Sequence, residues 1–222
     1  MLLRHLLTLL FALSLPAVHG QDHNVEKIDG RPEAGDVADD LLDQLADSGL
    51  RVKRGSSRTV CEIWLCKEWP VDAEFKPTPE RLYPFKPGQL IGVLRFRRRG
   101  SDFRDQNIGR GWYTLRFGLQ PVDGNHEGTS PTRDFLVMVG ADQDTFDKSW
   151  DMQKLLEASA EAAGSTHPGL LCLQKATDGA DTVMRHDETN DWWILHTVGT
   201  GAAEEKTQQI PLDLIVVGHA TE

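Results

Sequence analysis

The stretch "GWYTLRFGLQ", residues 111–120, decides the fold class because two kinds of side chain alternate along it. Alternate side chains of an extended chain point to opposite faces, so one face here is apolar and the other is mixed. The apolar face carries Tyr113, Leu115, Phe117 and Leu119, and the mixed face carries Trp112, Thr114 and Arg116. A period of two over this length predicts a strand with one face in a core.

Six more short segments have a similar apolar, strand-like character, and glycine and proline punctuate them. They are residues 59–66, 88–98, 134–140, 168–175, 191–199 and 209–219. Several short strands at close spacing are typical of all-β domains. The sequence therefore predicts a mainly β protein, with an antiparallel β-sandwich or a small barrel over residues 59–222.

One helix interrupts this series at "SWDMQKLLEASAEAAG", residues 149–164. Ser149 is a suitable N-cap, apolar residues recur at helical spacing, and Gly164 stands where the helix should end. We expect this helix to cover an edge or end of the sheet. The segment 75–88 holds four prolines, cannot pair as a central strand, and is expected to run along the surface.

Residues 21–58 are more polar and acidic than the rest of the chain. They contain one helical pattern, "DVADDLLDQLADSG" at residues 36–49, and we expect a flexible N-terminal arm around one short helix. Arg51, Lys53 and Arg54 have the spacing of a dibasic processing site. Residues 21–54 are therefore either a removed propeptide or an ordinary linker.

The first twenty residues, "MLLRHLLTLLFALSLPAVHG", have the layout of a secretory signal peptide, with Arg4, an apolar run and small residues before Gln21. No later segment is long and apolar enough to cross a membrane. We expect a secreted or periplasmic protein with no transmembrane segment after signal cleavage. The net charge of −10 argues against nucleic acid as a partner, because phosphates require a basic surface.

Residues 82–136 resemble a group of uncharacterised, predicted secreted bacterial proteins. The resemblance rests on "GWYTLRFGLQPVDGNHEG" followed by "RDFL" and covers about a quarter of the chain. It implies a bacterial origin and export, and no activity is known for the group.

The polar connection between residues 120 and 135 allows three interpretations. Asp123, Asn125, Glu127 and Asp134 repeat part of the spacing of a calcium loop, although the fifth and last positions hold the wrong acids. Alternatively, His126 is a general base that Asp123 or Asp134 orients while Arg133 holds an anion. No nucleophile motif accompanies it. The third interpretation is a structural hairpin connection with polar turn residues, which such a connection needs in any case.

Three tryptophans are candidate ligand platforms: Trp112, Trp192 and Trp193. Trp192 and Trp193 point to opposite faces of one strand, so one belongs to the core and the other can contact a sugar ring. The scattered histidines show no ligand spacing for a metal. Cys61 and Cys66 cannot bridge each other along a strand, so Cys172 pairs with one of them or all three are buried thiols.

These patterns favour an exported β-sandwich protein that acts as a binding or envelope-associated accessory module, with an unknown small molecule, glycan or envelope protein as partner. The alternatives are an extracytoplasmic, hydrolase-like enzyme centred on His126 and a calcium-stabilised structural domain. The sequence leans away from an enzyme and requires no cofactor other than a possible calcium ion.

Overall fold

The computed structural model describes residues 22–122, 130–204 and 206–220. The chain is mainly β, with two helices within this described part. The helices are α1 (Asp39–Leu42) and α2 (Met152–Ala163). The strands are β1 (His23–Asp29), β2 (Ser48–Arg54), β3 (Arg58–Leu65), β4 (Trp69–Pro70), β5 (Leu90–Phe96), β6 (Gly100–Ser101), β7 (Asn107–Ile108), β8 (Gly111–Leu119), β9 (Asp134–Gly140), β10 (Leu170–Gln174), β11 (Val183–Asp187), β12 (Trp192–Ala203) and β13 (Lys206–Val217).

One curled sheet contains most of these strands, in the order β1-β2-β3-β5-β8-β9-β10-β13-β12-β11. Neighbours along this path are antiparallel, β4 adds to β12 in parallel, and β6 and β7 form a separate hairpin. Strand β10 changes partner midway: residues 170–172 pair with β9, and residues 173–174 pair with β13. The mainly β prediction is confirmed, whereas a sandwich of two separate sheets is not.

The inner face of the curled sheet carries the main core. Tyr113, Leu115 and Phe117 of β8 are buried in it, as the alternation in "GWYTLRFGLQ" predicts. Leu136 of β9 and Leu214 of β13 belong to the same cluster, so strands from both halves of the sheet enclose one interior. Burial of this apolar area supplies the main stabilisation of the fold.

Helix α2 covers the outer face of β9. Its Leu155 packs with Val137 and Val139, which point away from the main core. The helix begins later than the sequence suggested, because Asp151 rather than Ser149 is the N-cap and accepts from two backbone N–H groups, at 3.0 and 3.3 Å. Gly164 ends the helix in the left-handed conformation, as expected.

Residues 22–58 do not form the expected arm, because β1 and β2 are strands of the sheet. β1 pairs with β2 from His23↔Arg54 to Asp29↔Ser48, and β2 also pairs with β3. The dibasic motif therefore lies inside a strand that is paired on both sides. The helical pattern of residues 36–49 gives only the four residues of α1. The predicted signal peptide, residues 1–20, lies outside the described residues.

A row of mostly charged side chains crosses the first strands and explains why the sequence pattern missed β1 and β2. Glu26, Arg51, Glu62, Arg95 and Trp112 stand opposite one another on five successive strands. Arg51 donates to Glu26 at 2.9 Å and to Glu62 at 2.7 Å, and the Arg95 guanidinium lies 4.7 Å from the Trp112 ring. Cross-strand ion pairs thus align β1, β2 and β3 on one face, in addition to the apolar pairs that face the core.

Burial alone would raise the pKa of the Glu62 carboxyl, but hydrogen bonds from Arg97 and Arg51 outweigh it and lower that pKa. Arg97 donates to Glu62 at 2.8 Å. Arg95 of β5 and Arg97, which follows this strand, therefore help to neutralise a buried carboxylate.

The proline-rich segment 75–88 does not simply follow the surface. Tyr83 and Phe85 are buried in the main core, and the Phe85 ring packs edge-on to Trp69 and Phe117 at 5.0 and 5.6 Å. The Tyr83 hydroxyl donates to the Gln174 carbonyl at 2.7 Å and accepts from the Asp213 amide at 3.0 Å. Within the described chain, neither helix is long and apolar enough to span a membrane.

Candidate functional site

Four of the residues that the sequence singled out lie outside the described part of the chain. They are Asp123, Asn125, His126 and Glu127. The calcium and His126 hypotheses therefore stay predictions. In the ranges 22–122, 130–204 and 206–220, no group of three or more His, Cys, Asp or Glu side chains is placed to hold a metal ion.

The other two residues of the predicted loop site bind backbone groups. Asp134 is buried at the start of β9 and accepts from the amides of Leu82 and Tyr83 at 3.0 to 3.2 Å. Burial raises the pKa of this carboxyl, although the two amides act in the opposite direction. Arg133 donates through Nε and Nη2 to the Gln120 carbonyl at 2.9 and 2.7 Å. Both side chains thus hold connections in place.

The three candidate tryptophans are separated and already have partners. Trp112 lies 5.5 Å from the Trp64 ring, beneath Arg95. Trp192 is buried and donates to the His219 carbonyl at 2.8 Å. Trp193 is half-buried between two histidines where the ends of the sheet meet. The structure does not bring these three rings into one platform.

The three cysteines are free and buried. Burial raises the pKa of the Cys61 and Cys66 thiols to about 12. A thiol with so high a pKa is not a nucleophile at neutral pH. The sequence left open a disulfide of Cys172 or three buried thiols, and the structure has three buried thiols.

His196 and Asp213 form a buried pair on β12 and β13 that resembles part of a catalytic dyad. The His196 Nδ1 atom hydrogen-bonds the carboxylate, and Nε2 lies 3.3 Å from the Gly179 carbonyl. Arg185 donates to the same carboxylate at 2.5 Å. Both ring nitrogens of His196 therefore have partners within the protein, and this pair has the geometry of a structural network.

A cavity lies elsewhere, where three connections meet at the outer face of β5 and β8. It has a volume of about 690 Å³ and is formed by residues from the segments 66–70, 86–90 and 146–150, together with Gln44 and Arg116. Phe146, a residue that is 46% exposed, and the half-buried Trp150 supply aromatic surface. Pockets for small molecules fall in this size range.

The cavity has a basic lining in an acidic chain. Lys67, Lys86 and Lys148 face it, one from each connection, and Glu68 is the one carboxylate among its lining residues. Lys67 and Lys148 each donate to a backbone carbonyl at 2.8 Å, of Asp43 and Gln143. These bonds use one of the three ammonium hydrogens, so each lysine keeps donors for a ligand.

A buried ion pair fixes the wall behind these lysines. Arg116 of β8 and Asp144 lie together with the Arg116 side chain 3% exposed, and Arg116 donates to both carboxylate oxygens at 2.8 and 2.9 Å. Arg116 also donates to the Gly88 and Thr145 carbonyls at 2.9 and 2.7 Å. The Trp150 indole donates to Asp144 at 2.9 Å. One network therefore positions segments 86–90 and 146–150 relative to the sheet.

Lys148 also contacts the aromatic wall, because its ammonium lies 3.8 Å from the centre of the Trp150 ring. A cation over an indole face is held there by the ring quadrupole. The site thus places charge and a flat apolar surface side by side.

The sequence reasoning did not find these lysines. A weak local signal was present, since the motifs are Lys67-Glu68-Trp69, Lys86-Pro87-Gly88 and Lys148-Ser149-Trp150. Each lysine is followed within two residues by tryptophan or proline, which fix the backbone or bury a ring. Comparisons with family models, curated proteins and solved structures returned no match.

Proposed function

We propose that this chain is an exported binding protein that takes a small anionic ligand in the cavity of Lys67, Lys86 and Lys148. The observation that carries the proposal is the charge of this cavity. Three lysines converge on it, although the whole chain has a net charge of −10. Like charges are normally dispersed over a surface, and their convergence favours an anion.

The ligand class follows from the other lining groups. Phe146, Trp150 and Pro87 offer apolar contacts beside the ammonium groups. A planar apolar molecule with one carboxylate or similar anionic group satisfies both kinds of contact. The Arg116–Asp144 pair is neutral as a unit and acts as a rigid support, since its hydrogen bonds are directed within the protein.

Export and an accessory role are parts of the same proposal. Their support is the signal-like leader, the acidic charge and the lack of a marked nucleophile, as described above. We further propose that the curled sheet acts as two facing layers, supported by the core that β8 and β9 share with β13.

The test is calorimetric titration with 2-naphthoate, a planar carboxylate, and with the neutral 2-naphthamide as matched control. We expect 2-naphthoate to bind and 2-naphthamide to bind more weakly. Exchanging one lysine (Lys86→Gln or Lys148→Gln) should weaken 2-naphthoate binding about twofold to fivefold, the size of one exposed ion pair. Lys154→Gln, an exposed α2 lysine that does not line the cavity, should leave binding unchanged.

Equal affinity for the acid and the amide would contradict the proposal. So would unchanged 2-naphthoate binding in the double variant Lys86→Gln/Lys148→Gln.

A further inference from the structure

The two edge strands of the curled sheet, β1 and β11, lie side by side, and among the described residues no ladder joins them. One aromatic stack spans this seam. The Trp193 ring of β12 lies 4.4 Å from the His186 ring of β11, nearly parallel to it, and 4.8 Å from the His23 ring of β1. The edges of the sheet are therefore held together at this point by side chains.

The surroundings of His23 disfavour its protonated form. Its Nδ1 atom is buried and has no hydrogen-bond partner among the described residues. Burial is the main cause that lowers the pKa of His23, and the positive charges of Arg54 and His186 lower it further. The carboxylates of Asp191 and Asp22 act in the opposite direction without reversing the shift.

His186 differs from His23 because it has an acidic partner. Its Nε2 atom lies 2.9 Å from an Asp191 carboxylate oxygen. The Asp191 carboxylate and the Trp193 ring hold the His186 ring at the seam. His23 has no such acidic partner for its buried Nδ1 atom among the described residues.

A second cavity lies along the same seam. Its volume is about 450 Å³, and its lining includes Val25 and Lys27 of β1, Leu50 of β2, and Thr197 and Thr200 of β12. It is thus bounded on one side by the first strands of the sheet and on the other by the last. Movement of β1 away from the seam would widen its entrance.

We propose that His23 is an acid-released latch: when it takes a proton, β1 separates from β11 at the Trp193 stack and the entrance of the seam cavity widens. The open form solvates the new charge, whereas the closed form holds it beside Arg54 and His186 without an acceptor for Nδ1. The closed form is therefore favoured above the ordinary histidine pKa near 6.5, and it loses stability as the pH falls below that value. This inference does not depend on the lysine cavity.

The test is amide hydrogen exchange at about pH 7.5 and about pH 5.5, corrected for the intrinsic pH dependence of exchange. Without the Trp193 stack, β1 and β11 become free edge strands that fray from β2 and β12. We therefore expect the protection of their amides to fall about tenfold at the lower pH, equivalent to about 1.4 kcal/mol, while β8 and β9 stay protected. His23→Phe keeps a ring in the stack without a titrating group and should remove the change. His23→Gln is a second non-titrating variant, and the exposed His167→Gln serves as control.

The proposal is overturned if the His23 variants respond to pH like the wild type. It is also overturned if β8 and β9 lose protection to the same extent, since that result means global unfolding, or if β1 shows no change. A wild-type response in His167→Gln together with a lost response in both His23 variants supports it.

Discussion

Asp144→Ala should be among the most destabilising single changes in the described chain. The Asp144 carboxylate accepts from Thr114 Oγ1 at 2.5 Å, from two Arg116 nitrogens at 2.8 and 2.9 Å, from the Trp150 indole at 2.9 Å and from the Thr145 amide at 3.0 Å. Its removal leaves the Arg116 guanidinium buried with only two backbone carbonyls as partners. A buried charge that loses its counter-ion costs about 3–5 kcal/mol.

This cost is a large part of the total stability, because domains of this kind unfold with about 5–15 kcal/mol. Urea denaturation followed by circular dichroism measures it, with an unchanged m value as the check on two-state behaviour. The matched control is Asp147→Ala on the same connection. Asp147 is exposed and accepts from Thr145 Oγ1 at 2.9 Å, so we expect a change below about 0.5 kcal/mol.

The double variant Arg116→Met/Asp144→Leu separates charge from packing. Replacing both partners by apolar side chains leaves no unpaired charge, so it should be more stable than Asp144→Ala. A loss below about 1 kcal/mol in Asp144→Ala would refute the reasoning. A double variant no more stable than Asp144→Ala would do the same.

Three further predictions follow from single contacts. Glu62→Gln should make the free energy of unfolding in urea less sensitive to acid. Because folding lowers the pKa of Glu62, its contribution to that free energy is complete above the ordinary pKa near 4.5 and disappears as the pH falls through the folded value. Equal pH profiles for the wild type and the variant would contradict this. Asp151→Ala removes the N-cap of α2 and should cost about 1 kcal/mol in the same assay, whereas Asp151→Asn should cost less. A calcium chelator should leave the melting temperature unchanged, because Asp134 is buried and accepts from the amides of Leu82 and Tyr83, whereas a fall of several degrees would support the calcium hypothesis.

Much of the sheet could be predicted because its central strands are apolar on at least one face. The segment with Tyr113, Leu115 and Phe117 became β8, and the six similar segments became β3, β5, β9, β10, β12 and β13. Their burial is decided locally, by residue type and a period of two. The end of α2 at Gly164 could also be predicted from local sequence, since a left-handed C-cap favours glycine.

Strands β1, β2 and β11 could not be found in this way. Arg51 of β2 pairs with Glu26 of β1 and with Glu62 of β3, and a charged residue that pairs across strands looks like a surface residue in the sequence. In β11, "VMRHD" has little apolar content, and the strand is aligned by its register with β12. Such pairings depend on residues distant in sequence, which single-sequence patterns do not contain.

The candidate site was hidden for a related reason. Lys67, Lys86 and Lys148 lie on three separate connections, and each looks like an ordinary exposed lysine. Only the curl of the sheet and the Arg116–Asp144 pair bring them to one cavity. The conspicuous polar residues of the 120–135 connection do not indicate this cavity, and of these Asp134 and Arg133 bind backbone groups.

The most direct test of the binding account is a nuclear magnetic resonance titration of ¹⁵N-labelled protein with 2-naphthoate. The account predicts saturable shifts of the Trp150 indole N–H and of the amides of Lys67 and Gly88, which line the cavity. Amides of β1 and β11 should stay in place at neutral pH. Saturable shifts confined to other parts of the chain, with the Trp150 indole N–H unmoved, would contradict it.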